Sequence, residues 1–185
     1  MQTAAKSELI SVEDYLAAEA ASKVRHEYLG GLIYAMAGET RAHNQITGNL
    51  YIALRQHLKG KPCQLYMSDI RVNFDLHSDE YYYYPDLVVT CDRRDNHQRF
   101  VKHPKLIIEV LSESTERVDK REKFFAYTSI KSLEEYVLVS QVAKEVTVFR
   151  RADDWKGVSY SGPKAKLVLK ALKVMVPLAS VYEGI

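Results

Sequence analysis

One acid constrains this chain more than any other residue: Glu109 stands inside the run Leu106-Ile107-Ile108-Glu109-Val110-Leu111. The segment from Lys105 to Leu111 is otherwise almost continuously apolar, as a strand covered on both faces would be. A carboxylate placed there loses hydration worth several kcal/mol unless something pairs with it. A buried Glu–Arg ion pair is the plain explanation.

Asp86 shifts the balance toward chemistry. It follows Pro85 at the start of a second apolar strand, Leu87-Val88-Val89. Two adjacent strands that each present a carboxylate to the same side would make a hard, oxygen-rich pocket suited to Mg²⁺ or Mn²⁺. The backbone carbonyl of Val110 could add a ligand, and one cation would offset both buried charges. In phosphodiester cleavage such an ion polarises the phosphoryl oxygen and lowers the pKa of a bound water. A lysine nearby could orient that water or stabilise charge on the phosphate. The next helix offers Lys120, Arg121 and Lys123. Lys123 precedes Phe124 and lies four residues before Tyr127, but its spacing does not show whether it faces the sheet or solvent.

The remainder reads as one α/β domain over residues 1–185, well short of the roughly 250 residues at which cores divide. Ser11 with Asp14 starts a helix running to about Ser22. Gly30-Gly31, flanked by apolar residues from Glu27 to Met36, predicts two strands joined by a tight turn. Ile46, Leu50, Ala53, Leu54 and Leu58 recur at helical spacing within Ala42 to Lys59, and Gly60 and Pro62 end that helix. Extended segments follow at Gln64–Met67, Ile70–Phe74 and Tyr83–Thr90. Tyr81 to Tyr84 suit the start of a strand with rings on both faces, base stacking being the alternative. A helix from Ser114 to about Ser129 between the strands at Lys105–Leu111 and Glu135–Ser140 makes a parallel βαβ unit. Glu145–Arg150 pairs with the latter strand, Leu167–Val176 supplies terminal strand material, and a short tail follows from Leu178.

Hydrophobic residues at 46% and charged residues at 27% are ordinary for a soluble globular protein. A net charge of +2 means that nucleic-acid affinity would need a local basic patch. Cys63 and Cys91 fit a reduced compartment without disulfides, and with His97 and His103 they match no zinc spacing. There is no signal-peptide core at the N-terminus and no apolar run of about 20 residues, so the expectation is a cytoplasmic protein without membrane contact.

The ordered set of residues is similar to a known family. Tyr84-Pro85-Asp86 followed by Ile108-Glu109-Val110-Leu111-Ser112 resembles the PD-(D/E)XK nuclease superfamily, and within it the Uma-two family of restriction-endonuclease-like proteins. The likeness runs from Ser11-Val12-Glu13-Asp14-Tyr15-Leu16 through Glu27-Tyr28-Leu29, Gly31, His43 and Ser68-Asp69-Ile70-Arg71-Val72. It continues through Asp86-Leu87-Val88, Ser114-Thr115, Asp119, Lys123, Tyr127 and Glu135-Tyr136. The resemblance implies a restriction-endonuclease-like fold: a central mixed sheet flanked by helices, with Asp86 and Glu109 as metal ligands. The superfamily's lysine two residues after the Glu is absent, because position 111 is Leu; the resemblance puts it on the next helix, at Lys123. Glu27 corresponds to an acid that many members place near the metal, a surface acid before a turn being the alternative. The family's Asp-Gly-Glu turn reads Gly30-Gly31-Leu32 here, so two acids are missing, and if either assists a second metal the chain would use one ion. His43 matches a recurrent histidine that could contact phosphate or position water, or equally could cap its helix. Asp69 matches as well, and a turn role would suffice for it.

The implied function is metal-dependent endonucleolytic hydrolysis of nucleic acid, DNA first. Asp86, Glu109, Lys123 and Glu27 would carry it, and a homodimer would suit cutting of two strands. The basic segment with Arg93, Arg94, Arg99 and Lys102, between the two acid-bearing strands, is a candidate phosphate-holding loop near one end of the site. An ordinary solvated loop is the alternative. The contrasting reading of the whole chain is a non-catalytic nucleic-acid-binding or interaction protein that keeps the fold.

Overall fold

The computed structural model describes residues 9–36, 38–112 and 119–185. Helix α1 (Val12–Ala21) starts at Ser11, whose hydroxyl accepts the Asp14 N–H. Strands β1 (His26–Leu29) and β2 (Leu32–Ala35) form the expected hairpin. Gly30 and Gly31 take φ of 54° and 100°, the positive values a two-residue turn of this twist requires. Helix α2 (Arg41–Leu58) is capped by the Thr40 hydroxyl, which accepts the His43 N–H, so capping does not fall to the His43 side chain.

β3 (Gln64–Met67), β4 (Arg71–Leu76), β5 (Asp79–Tyr83), β6 (Leu87–Thr90), β7 (Phe100–Val101) and β8 (Pro104–Leu111) follow. The segment expected as one strand from Tyr83 to Thr90 is broken at Tyr84-Pro85-Asp86, where proline has no N–H to give a ladder. Beyond β8 the described chain resumes as a π-helical turn, Asp119–Lys123, running into α3 (Phe124–Thr128). The rest of the expected helix, Val118 included, lies outside the described residues. Then come β9 (Glu135–Ser140), β10 (Glu145–Arg150), β11 (Gly157–Ser161), β12 (Lys166–Leu169), β13 (Val174–Pro177) and α4 (Leu178–Val181). The expected terminal tail is thus a short helix that buries Leu178 and Val181, because the apolar residues there complete the core.

Six strands form a mixed sheet in the order β11-β10-β9-β8-β6-β3. β8 lies parallel to β9 and antiparallel to β6. A five-stranded sheet runs β2-β1-β5-β4-β7, and β12 and β13 make a separate hairpin. Alternation along β8 sends Leu106, Ile108 and Val110 toward α2, where they join Ile46, Leu50, Leu54 and Leu58. Ile107 and Leu111 point the other way, into a cluster with Val72, Tyr83 and Tyr127 from the five-stranded sheet and α3. Glu109 shares this second face. The tyrosine run alternates as expected: Tyr81 and Tyr83 stack around Phe74, whereas Tyr82 packs against Tyr15. No helix among the described residues is long and apolar enough to cross a membrane.

The expectation of unpaired cysteines is corrected. Extending the β3–β6 register one residue past Gln64 and Thr90 sets Cys63 against Cys91, and the two are disulfide-bonded. Sequence gives no strand register, so the pairing was invisible. With a sequence separation of 28, chain-entropy arguments give the bond about 3–4 kcal/mol. Reduction should lower the urea midpoint accordingly, and an unchanged midpoint would show that the bond carries no stability.

A second buried acid, Glu135, is structural. Its Oε1 accepts Arg150 Nε at 2.8 Å and the Lys170 N–H at 3.0 Å, and its Oε2 accepts the Ala171 N–H at 3.1 Å. Glu135→Ala would strand Arg150 in the core and should cost about 3–5 kcal/mol in equilibrium urea unfolding. A loss near zero would mean that Arg150 finds water.

Candidate active site

The break between β5 and β6 is where the site is built. Flanking Pro85, Tyr84 N–H donates to Glu27 Oε1 at 3.0 Å and Asp86 N–H donates to Glu109 Oε2 at 3.2 Å. In return, Val110 N–H donates to Asp86 Oδ2 at 2.7 Å. The acids on the two strands are therefore cross-linked through each other's backbone. Val110 contributes its N–H to this arrangement. His43 Nε2 lies 3.1 Å from Asp86 Oδ2, fixing the carboxylate from the α2 side.

Lys123 faces inward, not to solvent. Its Nζ lies 3.0 Å from Glu27 Oε1, 3.4 Å from Glu109 Oε1 and 3.5 Å from Asp119 Oδ1, and it sits over the Tyr83 ring. Tyr127 OH donates to Glu109 Oε1 at 3.2 Å. Asp119 and Lys123, four residues apart on the π-helical turn, share its inward face. Four of the expected residues (Asp86, Glu109, Lys123, Glu27) thus come together, joined by His43. Asp119 belongs with them, although the sequence signals it only as one member of the family-like set.

Among the described residues, the carboxylates of Glu27, Asp86, Glu109 and Asp119 surround one lysine and one histidine. Burial pushes the Glu109 carboxyl well above the usual range, against the pull of Lys123. For Lys123 burial acts downward, but Glu109, Glu27 and Asp119 outweigh it and hold the ammonium charged. His43 is lowered by burial and raised by Asp86 and the other acids, with a net rise.

Asp86, with an 18% exposed side chain, opens onto a cleft of about 210 Å³ bounded by His43, Asn44, Glu39, Ser68 and Arg25. Arg25 pairs with Asp69 at 3.4 Å and donates to the Ser68 carbonyl at 2.8 Å, which gives Asp69 its place. No motif signalled Arg25; only the β1 geometry brings it to the cleft.

The basic loop is elsewhere. Asp86 precedes β6 and the loop follows it, so the four-residue strand separates them by about 13 Å along its length. Arg94 is held by the Asp92 carboxylate at 2.6 Å, while Arg93, Arg99 and Lys102 have no carboxylate partner among the described residues.

A mixed sheet carrying an Asp and a Glu on neighbouring strands, with a lysine between acids, is the arrangement of restriction-endonuclease-like proteins. The chain belongs to the Uma2 family, described as "Putative restriction endonuclease", whose profile matches residues 12–179. It is 34% identical over 179 residues to uncharacterized protein slr1290 of Synechocystis, covering 95% of this chain and 93% of that one. Uncharacterized protein sll1609 of the same organism is 30% identical over 179 residues, covering 94% and 100%. The fold matches the crystal structure of a "putative nuclease belonging to DUF820" from Anabaena variabilis, with TM-score 0.77, 15% identity and coverage of 94% and 97%.

Lys123→Ala would leave the acids without their shared cation and should destabilise the fold by about 3–5 kcal/mol. Added Mn²⁺ should restore part of that loss in a thermal melt. If the variant melts like the wild type, the lysine does not balance these charges.

Proposed function

We propose that this protein is a metal-dependent nuclease hydrolysing phosphodiester bonds, with DNA as its substrate. The observation that carries the reading is the reciprocal lock of Asp86 and Glu109 beside a buried, charged Lys123. The donor set suits a hard divalent ion. Among the described residues no three His, Cys, Asp or Glu side chains form a metal-holding group. Mg²⁺ needs no such cage, since it is held by one or two carboxylates and keeps several waters. Asp86 and Glu109 provide the two carboxylates, and Asp86 Oδ1 accepts no hydrogen bond from the described residues.

When bound, Mg²⁺ or Mn²⁺ supplies Lewis acidity toward a phosphoryl oxygen and toward water. The chain's own groups do the positioning. His43 and the Val110 N–H hold Asp86; Tyr127 and the Asp86 N–H hold Glu109. Glu27 and Asp119 keep Lys123 charged, so that it can offset charge developing on the phosphate. Arg25 stands at the cleft mouth, 43% exposed, where it can hold a neighbouring phosphate. A homodimer would carry two such sites, one for each strand of a duplex.

A second reading has its own support. Lys123 is already met by three carboxylates, and Leu111 stands where the superfamily has its lysine, as expected of a fold that binds nucleic acid without cutting. Plasmid, linear duplex, single-stranded DNA and RNA incubated with Mg²⁺, Mn²⁺ or EDTA decide between them. The nuclease reading expects metal-dependent cutting of DNA that falls at least about a hundredfold in Glu109→Gln, the scale of losing a key electrostatic group. Absence of cutting on every substrate, with no Mn²⁺-induced rise in melting temperature, would establish the non-catalytic reading.

A further inference from the structure

A cavity of about 470 Å³ lies away from the acid cluster, at the other end of β6, between the edge strands β3 and β7. Its size falls within the roughly 300–1,000 Å³ of small-molecule sites. Three kinds of surface meet there. His97 lies flat on Phe100, ring centroids 3.6 Å apart and planes 16° from parallel, and Tyr66 supplies a second aromatic wall. Burial and the neighbouring Arg71, Lys102 and Arg99 charges lower the His97 pKa, so its ring is an uncharged plane at neutral pH. Gln64, Asn96 and Gln98 line the same space, and their amides can both donate and accept, as base edges require. Arg93 lines the cavity, and Arg99 and Lys102 flank it within the same loop; none of these three has a carboxylate partner among the described residues, so all can meet phosphate.

The acids on this wall are already committed. Asp92 is held by Arg94. Asp95 accepts the backbone N–H groups of Lys102 and His103, the His103 ring and the Thr90 hydroxyl. The Cys63–Cys91 disulfide ties the two rims that contribute Gln64 and Asp92. The groove is therefore pre-formed and carries unpaired positive charge.

Its position relates it to the cleft. Met67 lines the cleft at Asp86, and Gln64 and Tyr66 line the groove, so both open along the same edge strand. We propose that the groove is a nucleotide subsite that takes one unstacked base, its phosphates on Arg93, Arg99 and Lys102, about 13 Å from Asp86 along β6. A base inside a duplex cannot reach such a pocket, so the ligand is a single-stranded or splayed segment. The bearing of that spacing on cleavage rests on the nuclease reading; the binding does not.

The test is fluorescence anisotropy in EDTA with a single-stranded DNA oligonucleotide and a fully abasic oligonucleotide of the same length. The wild type should prefer the normal strand by about tenfold, the range of base–aromatic stacking. His97→Ala should remove most of that preference, and His97→Phe should keep it. The triple variant Arg93→Ala/Arg99→Ala/Lys102→Ala should weaken both strands alike and lower the salt slope by about 2, at ~0.7 per phosphate contact. Matching melting temperatures of these variants confirm that the fold is intact. An unchanged base preference in His97→Ala, or an unchanged salt slope in the triple variant, overturns the proposal. Cleavage by the same proteins separates the two claims: base-dependent binding without any cleavage sinks only the nuclease reading.

Discussion

The register between β6 and β8 governs the site, because it converts ladder hydrogen bonds into carboxylate clamps. Leu87 lies opposite Ile108, so the next pair inward is Asp86 and Glu109. Each acid accepts a backbone N–H from the other strand, at 3.2 Å and 2.7 Å. Pro85 clears the space by ending the β5–β6 run and withholding a donor. A one-residue slip would turn Glu109 into the apolar layer under α2, where no cation waits. Core packing and site geometry are therefore set by the same pairing, and neither can be altered alone.

The lysine shows how the same space can be filled from a different element. Leu111 lies two residues beyond Glu109, on the same face of β8, and packs with Ala126 and Tyr127. A lysine at that position would emerge from the strand; here Lys123 enters from the π-helical turn and reaches Glu109 across the same layer. Asp119 and Lys123 are four residues apart and so share the inward face of that turn. Spacing places the two residues on one face, but only the fold shows that this face meets Glu27 and Glu109.

How much was legible follows from whether a signal was local. Gly30-Gly31, the apolar stripe of α2 and the parallel β8–β9 pair are written in short stretches, and they stand as expected. The anomaly at Glu109 was legible too, because an acid in an apolar strand is a local contradiction. Its meaning was not, as Glu135 shows. Glu135 also sits in an apolar strand, and there the plain explanation holds: one arginine and two backbone N–H groups satisfy it. Around Glu109, among the described residues, several acids share Lys123, and only the fold reveals that grouping. Arg25 at the cleft, the Cys63–Cys91 bond and the basic loop's distance from Asp86 all depend on strand register and order, which no short stretch encodes.

The two ends of β6 are made in opposite ways, and that contrast bears on what each can do. At the Asp86 end, the carboxylates of Glu27, Glu109 and Asp119 gather around Lys123, with Asp86 beside them among the described residues. At the Thr90 end, Asp95 is saturated by backbone and side-chain donors and Asp92 by Arg94, so the acids are silent and the cations of the loop are exposed. A polyanion laid along the β3 edge would meet attraction at the loop and repulsion at the acids, until a divalent ion reversed the sign there. Binding and metal loading would then be linked, since a cation at Asp86 and Glu109 removes the charge that opposes the chain of phosphates. The chain's net charge of +2 gives no hint of this, because the charges that matter are separated along one strand and not summed over the surface.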